Sequence, residues 1–172
     1  MDIVSAYTPT PYYAEAALLF RTAVESLGVT PRIIEYPDRG SWVENCRAKA
    51  VEIAAMRRPG HSLLWIDVDN VVSEIPPEPE GVDFAGVAST RADRAYWGGV
   101  LYFADTPAAT RLLYRWIIEA AGEYRGADEV PLEAACQAER DVRLGFLKAP
   151  GIRPGLSGKA SEYNREWERT HP

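Results

Sequence analysis

The chain is short of the residues from which metal centres and disulfide frameworks are built: of 172 residues, two are cysteine and two histidine. Cys46 and Cys136 lie far apart in helix-like stretches, and the pattern holds no zinc-type spacing. Both thiols read as small apolar packing residues of a reducing compartment. No run approaches the ~18 consecutive apolar residues of a membrane span. Met1-Asp2-Ile3-Val4 is acidic where an export signal is basic, so no leader is expected. Net positive charge is lacking too: the formal net charge of -6 leaves no general footprint for duplex nucleic acid or an anionic membrane. Internal repeats are absent. What is present, 47% hydrophobic and 26% charged residues, describes one ordinary domain. A chain of this size buries ~70% of the surface it would expose unfolded, enough for a proper core.

The rest is organised around Leu63-Leu64-Trp65-Ile66-Asp67-Val68-Asp69-Asn70-Val71-Val72. An apolar run of β-formers reads as a strand buried on both faces of an α/β sheet. Burying unpartnered carboxylates costs several kcal/mol, so two at the end of such a strand need a reason. Alternation puts Asp67 and Asp69 on one side and Val68 on the other. Two such groups can share a hard divalent cation, which takes oxygen ligands and bridges to phosphates. Helix capping or turn formation is the competing reading of the same pair.

Residues 2–6 form a first strand, with Pro9 and Pro11 setting up a helix whose apolar positions are Ala16, Phe20, Ala23 and Leu27. Gly28 stops it. Residues 32–36 form a second strand. Ser41 then caps a helix, with Glu44 completing a capping box and Val43, Cys46, Ala50 and Ile53 inward. Asn45 and Lys49 share a different face. This β-α-β-α-β order with short connections implies parallel strands with helices on both faces, and ligands bind beyond the carboxyl ends of such strands. Residues 73–83, with three prolines and three glutamates, read as a surface loop. Residues 84–88 and 97–103 are strands, the second opening on Gly98-Gly99. The charged loop from Arg91 to Arg94 reads as solvated surface. Thr106-Pro107 starts a helix with Leu113, Trp116, Ile117, Ala120 and Tyr124 inward, stopped by Gly126. A last short helix carries Leu132, Ala135 and Cys136 behind Ala127 or Asp128, and the tail from Leu144 is rich in glycine and proline.

The order of these motifs resembles the small GT-A-type glycosyltransferases, which take a sugar from a nucleotide diphosphate. The resemblance covers roughly residues 3–137 and rests on Asp67-Val68-Asp69, on the Gly98-Gly99-Val100-Leu101-Tyr102-Phe103 strand, and on Asp128-Glu129-x-x-Leu132. It implies a single Rossmann-like domain with a mixed, mostly parallel sheet, a core over about 1–140 and a tail (141–172) completing the donor site. It implies Mn²⁺ or Mg²⁺ on Asp67 and Asp69, acting as a Lewis acid toward the leaving diphosphate. Lys49, with Arg47 as a stand-in, would add charge at the phosphates. Tyr7 and Thr8 would face nucleobase and ribose, and Gly98 and Gly99 would let backbone approach donor sugar or acceptor. Asp128 or Glu129 would orient or deprotonate an acceptor hydroxyl. Trp97 belongs at the site edge, whereas Trp65 and Trp116 read as core. The family makes a UDP-sugar the favoured donor and implies a cytoplasmic enzyme of a bacterium or phage-infected host. The acceptor stays open among glycan, small molecule, protein and modified phage-type DNA base, the last not indicated by charge.

One departure stands out. Where such enzymes often carry a further histidine ligand near a C-terminal Gly and Lys, this chain has Gly155-Leu156-Ser157-Gly158-Lys159. Ser157 or water could fill the position, and Lys159 could contact the diphosphate. The paired acids also admit a haloacid-dehalogenase-type phosphatase, although those place the motif on their first strand. A nucleotidyltransferase or a nucleotide-sugar-binding domain without turnover are the other rivals.

Overall fold

A computed structural model describes residues 1–92, 94–122 and 127–155. Among these, the elements follow in the order β1 (Asp2–Tyr7), α1 (Pro11–Ser26), β2 (Arg32–Glu35), α2 (Trp42–Met56), β3 (Leu63–Ile66) and β4 (Asn70–Val72). Then come β5 (Phe84–Ala88), β6 (Tyr96–Phe103), α3 (Pro107–Ala120), α4 (Glu129–Ala138), β7 (Leu144–Phe146) and β8 (Ile152–Pro154). Six strands form one sheet in the order β2-β1-β3-β6-β5-β7. β1 is parallel to β2 and β3, and β7 is parallel to β5, while β6 runs antiparallel to both β3 and β5. The sheet is therefore mixed and mostly parallel, with β6 alone reversed.

The period-2 pleat divides the core. Leu63 and Trp65 of β3 join Val4, Leu101 and Phe103 beneath α2, α3 and α4. Leu64 and Ile66 join Ile3, Val100 and Tyr102 beneath α1 and the β4–β8 pair. Burial on both faces is why the run before the acids contains no polar residue. Three helices start on side-chain caps: Thr10 accepts from Tyr13 N, Ser41 from Glu44 N and Thr106 from Ala109 N. Each such cap contributes about 1 kcal/mol.

Several expectations change. The apolar stretch is not one strand: β3 ends at Ile66, and the Asp67 carbonyl accepts from Asn70 N in a turn. After that turn β4 leaves the main sheet and pairs antiparallel with β8. Both acids therefore sit at and just past the strand end, still flanking buried Val68. The tail is more structured than its glycines suggest, since β7 extends the main sheet and Leu147 and Ile152 enter the core. On α1, Val24 rather than Leu27 is the last buried position; Leu27 is the C-cap and stands exposed. Tyr124, Gly126, Ser157, Lys159 and most of the expected tail lie outside the described residues. No described helix is long and apolar enough to cross a membrane.

Candidate active site

Because β1, β2 and β3 are parallel, their carboxyl ends share one rim of the sheet, and a cavity of about 590 Å³ opens there. Tyr7 and Thr8 line it from the end of β1, and Asp67 and Asp69 from the end of β3. Lys49 enters from α2, Trp97, Gly98 and Gly99 from the start of reversed β6, and Asp128 and Glu129 from the head of α4. Tyr7, Thr8, Lys49, Asp67, Asp69, Gly98, Gly99, Asp128 and Glu129 are thus brought to one cavity, whereas Arg47, the expected stand-in for Lys49, does not line it and pairs with Glu44. Ser157 and Lys159 fall outside the described residues.

Lys49 is the hub. The helix packs on the core through Ala48, Ala50, Ile53 and Met56, and this carries Lys49 into the protein with only 9% exposure. Its ammonium lies 2.9 Å from Asp67 Oδ1, 2.5 Å from Asp128 Oδ2 and 3.0 Å from the Gly98 carbonyl. Three acceptors match the three donors of an ammonium. Burial opposes the charge, but the Asp128 and Asp67 carboxylates outweigh it and hold the lysine pKa well above its usual value. The same burial pushes Asp67 up to about 6, with Asp69 and Asp128 adding repulsion against the relief given by Lys49. Asp69 is also raised, chiefly by burial. The Asp69 carboxylate accepts from its own backbone N–H, engages in no ion pair among the described residues, and lines the cavity.

The surrounding groups hold this arrangement in place. Trp65 is core, as expected, yet its indole N–H also donates to Asp67 Oδ1 at 2.6 Å. Trp116 is core and donates to the Asp128 carbonyl at 3.0 Å, fixing the head of α4. Asn70 is buried and donates to the Gly99 carbonyl, which also receives Asp67 N. Asp128 does not cap α4 with its side chain, which turns to Lys49 instead. Glu129 accepts from Gly98 N at 3.1 Å and pairs with Arg94. Arg94 is consequently no solvated loop residue; its side chain is 10% exposed.

The glycine pair serves the protein's own packing. A Cβ at Gly98 would stand 2.7 Å from Asp128 Oδ2, and one at Gly99 would stand 2.4 Å from the Trp97 ring. Tyr7, expected against a nucleobase, donates its hydroxyl to Glu35 at 3.2 Å. Beside it Tyr36, Asp38, Trp42, Asn45 and Cys46 complete the wall, none of them marked in advance as ligands. Asp38 Oδ1 accepts from Gly40 N and Asn45 Nδ2. A polar cluster straddling the end of β2 and the first turn of α2 joins residues that no linear spacing connects.

The donor set suits a hard cation only in part. Asp69 presents a carboxylate held only by its own backbone N–H, whereas the Asp67 oxygens are taken up by Lys49 and Trp65. Among the described residues no group of three or more His, Cys, Asp or Glu could hold a metal. An ion here needs further oxygens from water or from a ligand such as a diphosphate, as Mg²⁺ commonly does.

The fold that carries this cavity is one found in solved glycosyltransferases. A glycosyltransferase involved in glycosylation of the major capsid of PBCV-1 superposes with a TM-score of 0.61 at 13% identity, over 84% of this chain and 80% of that one. The glycosyltransferase GlyE of Streptococcus pneumoniae TIGR4 does so with a TM-score of 0.61 at 14% identity, over 99% of this chain and 51% of its own. The chain thus spans about half of GlyE. No family model and no curated protein matches it.

Proposed function

We propose that this domain is a metal-dependent glycosyltransferase acting on a nucleotide-diphosphate sugar, with a UDP-sugar as the favoured donor. The observation that supports it most is the convergence of the β1 loop, the Asp67/Asp69 pair, the β6 glycines and the Asp128-Glu129 turn on one cavity at the carboxyl rim. In the transfer, the anomeric carbon–oxygen bond to the diphosphate breaks, its electron pair leaving on that oxygen. A bond forms from the same carbon to an acceptor hydroxyl, whose proton passes to a base. Asp69, with Asp67 behind it, would hold Mn²⁺ or Mg²⁺, which when bound neutralises charge on the departing diphosphate. Tyr7 and Thr8 take the nucleoside end of the cavity. Asp128 and Glu129, buttressed by Lys49 and Arg94, orient sugar or acceptor hydroxyls beside Gly98.

The test is a panel of UDP-, GDP-, TDP- and CDP-sugars with Mn²⁺, read as release of nucleoside diphosphate with and without simple acceptors. Turnover of one donor class, lost in Asp69→Asn, is expected. Turnover unaffected by Asp69→Asn removes the metal role. One observation favours a second reading, donor binding without turnover: both candidate bases are engaged in ion pairs. Nucleotide binding with no release under any acceptor would select it.

A further inference from the structure

We propose that Lys49 is the resident counter-cation of this site, and that it excludes free divalent ions, which reach Asp69 only as complexes of a diphosphate. The route of entry rests on the donor reading above; the exclusion itself does not.

Three observations converge. The ammonium is saturated by Asp67, Asp128 and the Gly98 carbonyl, so Asp67 is neutralised from within and has little left to give an ion. The lysine is also locked: its stem is buried and its Nζ stands 5.8 Å from the Trp65 ring centroid, with Trp65 itself donating to Asp67. It does not swing aside as an exposed lysine does. Finally, Asp67, the acid two residues from Asp69, is already engaged by Lys49 and Trp65, and no group of three possible ligands exists among the described residues. A hard octahedral ion gains only one carboxylate in exchange for its waters at such a place and meets a fixed positive charge beside it. A diphosphate changes both terms, bringing its own oxygens and a negative charge that Lys49 attracts.

The experiment is a Mn²⁺ titration of the full chain, following the electron paramagnetic resonance signal of the free ion, with and without UDP. Wild-type protein is expected to leave Mn²⁺ alone in solution and to take it up when UDP is present. Lys49→Met combined with Asp128→Asn keeps the net charge of the cluster while freeing Asp67. That double variant should bind Mn²⁺ without UDP at least about tenfold more tightly than wild type. Lys49→Arg keeps the charge and should stay like wild type. Equal binding of Mn²⁺ by wild type with and without UDP overturns the proposal, as does a double variant with no gain. Should the double variant fail to fold, single variants decide: Asp69→Asn should lose Mn²⁺–UDP uptake far more than Asp67→Asn, and equal losses overturn it. If wild type binds no UDP at all while the double variant gains Mn²⁺, the donor reading falls and the exclusion by Lys49 stands.

Discussion

Asp67 carries opposite demands from stability and from chemistry. Burial holds its pKa at about 6, against ~3.9 for a free aspartate. A carboxyl raised in the fold stabilises most when protonated, so its contribution is full below about pH 4 and is lost as pH rises through about 6. Pairing with Lys49 needs the ionised form. Nucleotide affinity in the presence of Mn²⁺ should therefore fall as pH is lowered through about 6, and Asp67→Asn should flatten that profile; calorimetric titration across the range checks both. Lys49→Ala removes the ammonium between buried Asp128 and partly buried Asp67. Breaking a buried pair in this way costs about 3–5 kcal/mol, and urea unfolding should show a loss of that order.

At the scale of elements, Gly98 joins the start of β6 to the head of α4. An added Cβ meets an Asp128 oxygen that cannot retreat, because Lys49 and the Trp116 contact hold its residue. Gly98→Ala should cost about 1–3 kcal/mol and lower Tm by several degrees. Circular dichroism melting tests this, and a variant as stable as wild type would detach the glycine from α4. The glycine pair was visible in the sequence, but its partner was not: spacing shows that backbone comes close to something, never to what. The same limit applies elsewhere. Periodicity, the prolines before α1 and the Ser41 cap revealed the β-α-β-α-β order, because such signals act within their own helices; the Thr10 cap became visible only in the structure. The three-residue strands β4, β7 and β8 left no periodic trace, since they exist only through pairing with distant partners. Arg94 looked like surface for that reason too, as Glu129 lies 35 residues away.

Across the whole molecule, ligand binding and stability are linked. A nucleotide at 100 times its dissociation constant, binding only the folded chain, adds about 2.7 kcal/mol. For a domain of this length that raises Tm by roughly 5–11 °C. UDP with Mn²⁺ should give such a shift in a thermal melt, and UDP without metal a smaller one. The rest of the architecture keeps its distance from this event. The loop at 73–83 crosses to the opposite rim, where Glu78 meets the chain's own N-terminus and the Tyr102 hydroxyl.

The reversal of β6 sets how such a scaffold can be altered. A strand running with its neighbours meets the rim at its end; β6 meets it at its beginning, so Arg91 and Arg94, which precede it, line the cavity. Lengthening or shortening that approach re-aims Arg94 and Trp97, while Asp67 and Asp69 stay anchored on another strand. The residues before β6 and the acids after β3 are in this way written on separate stretches of chain, and one can drift while the other is kept.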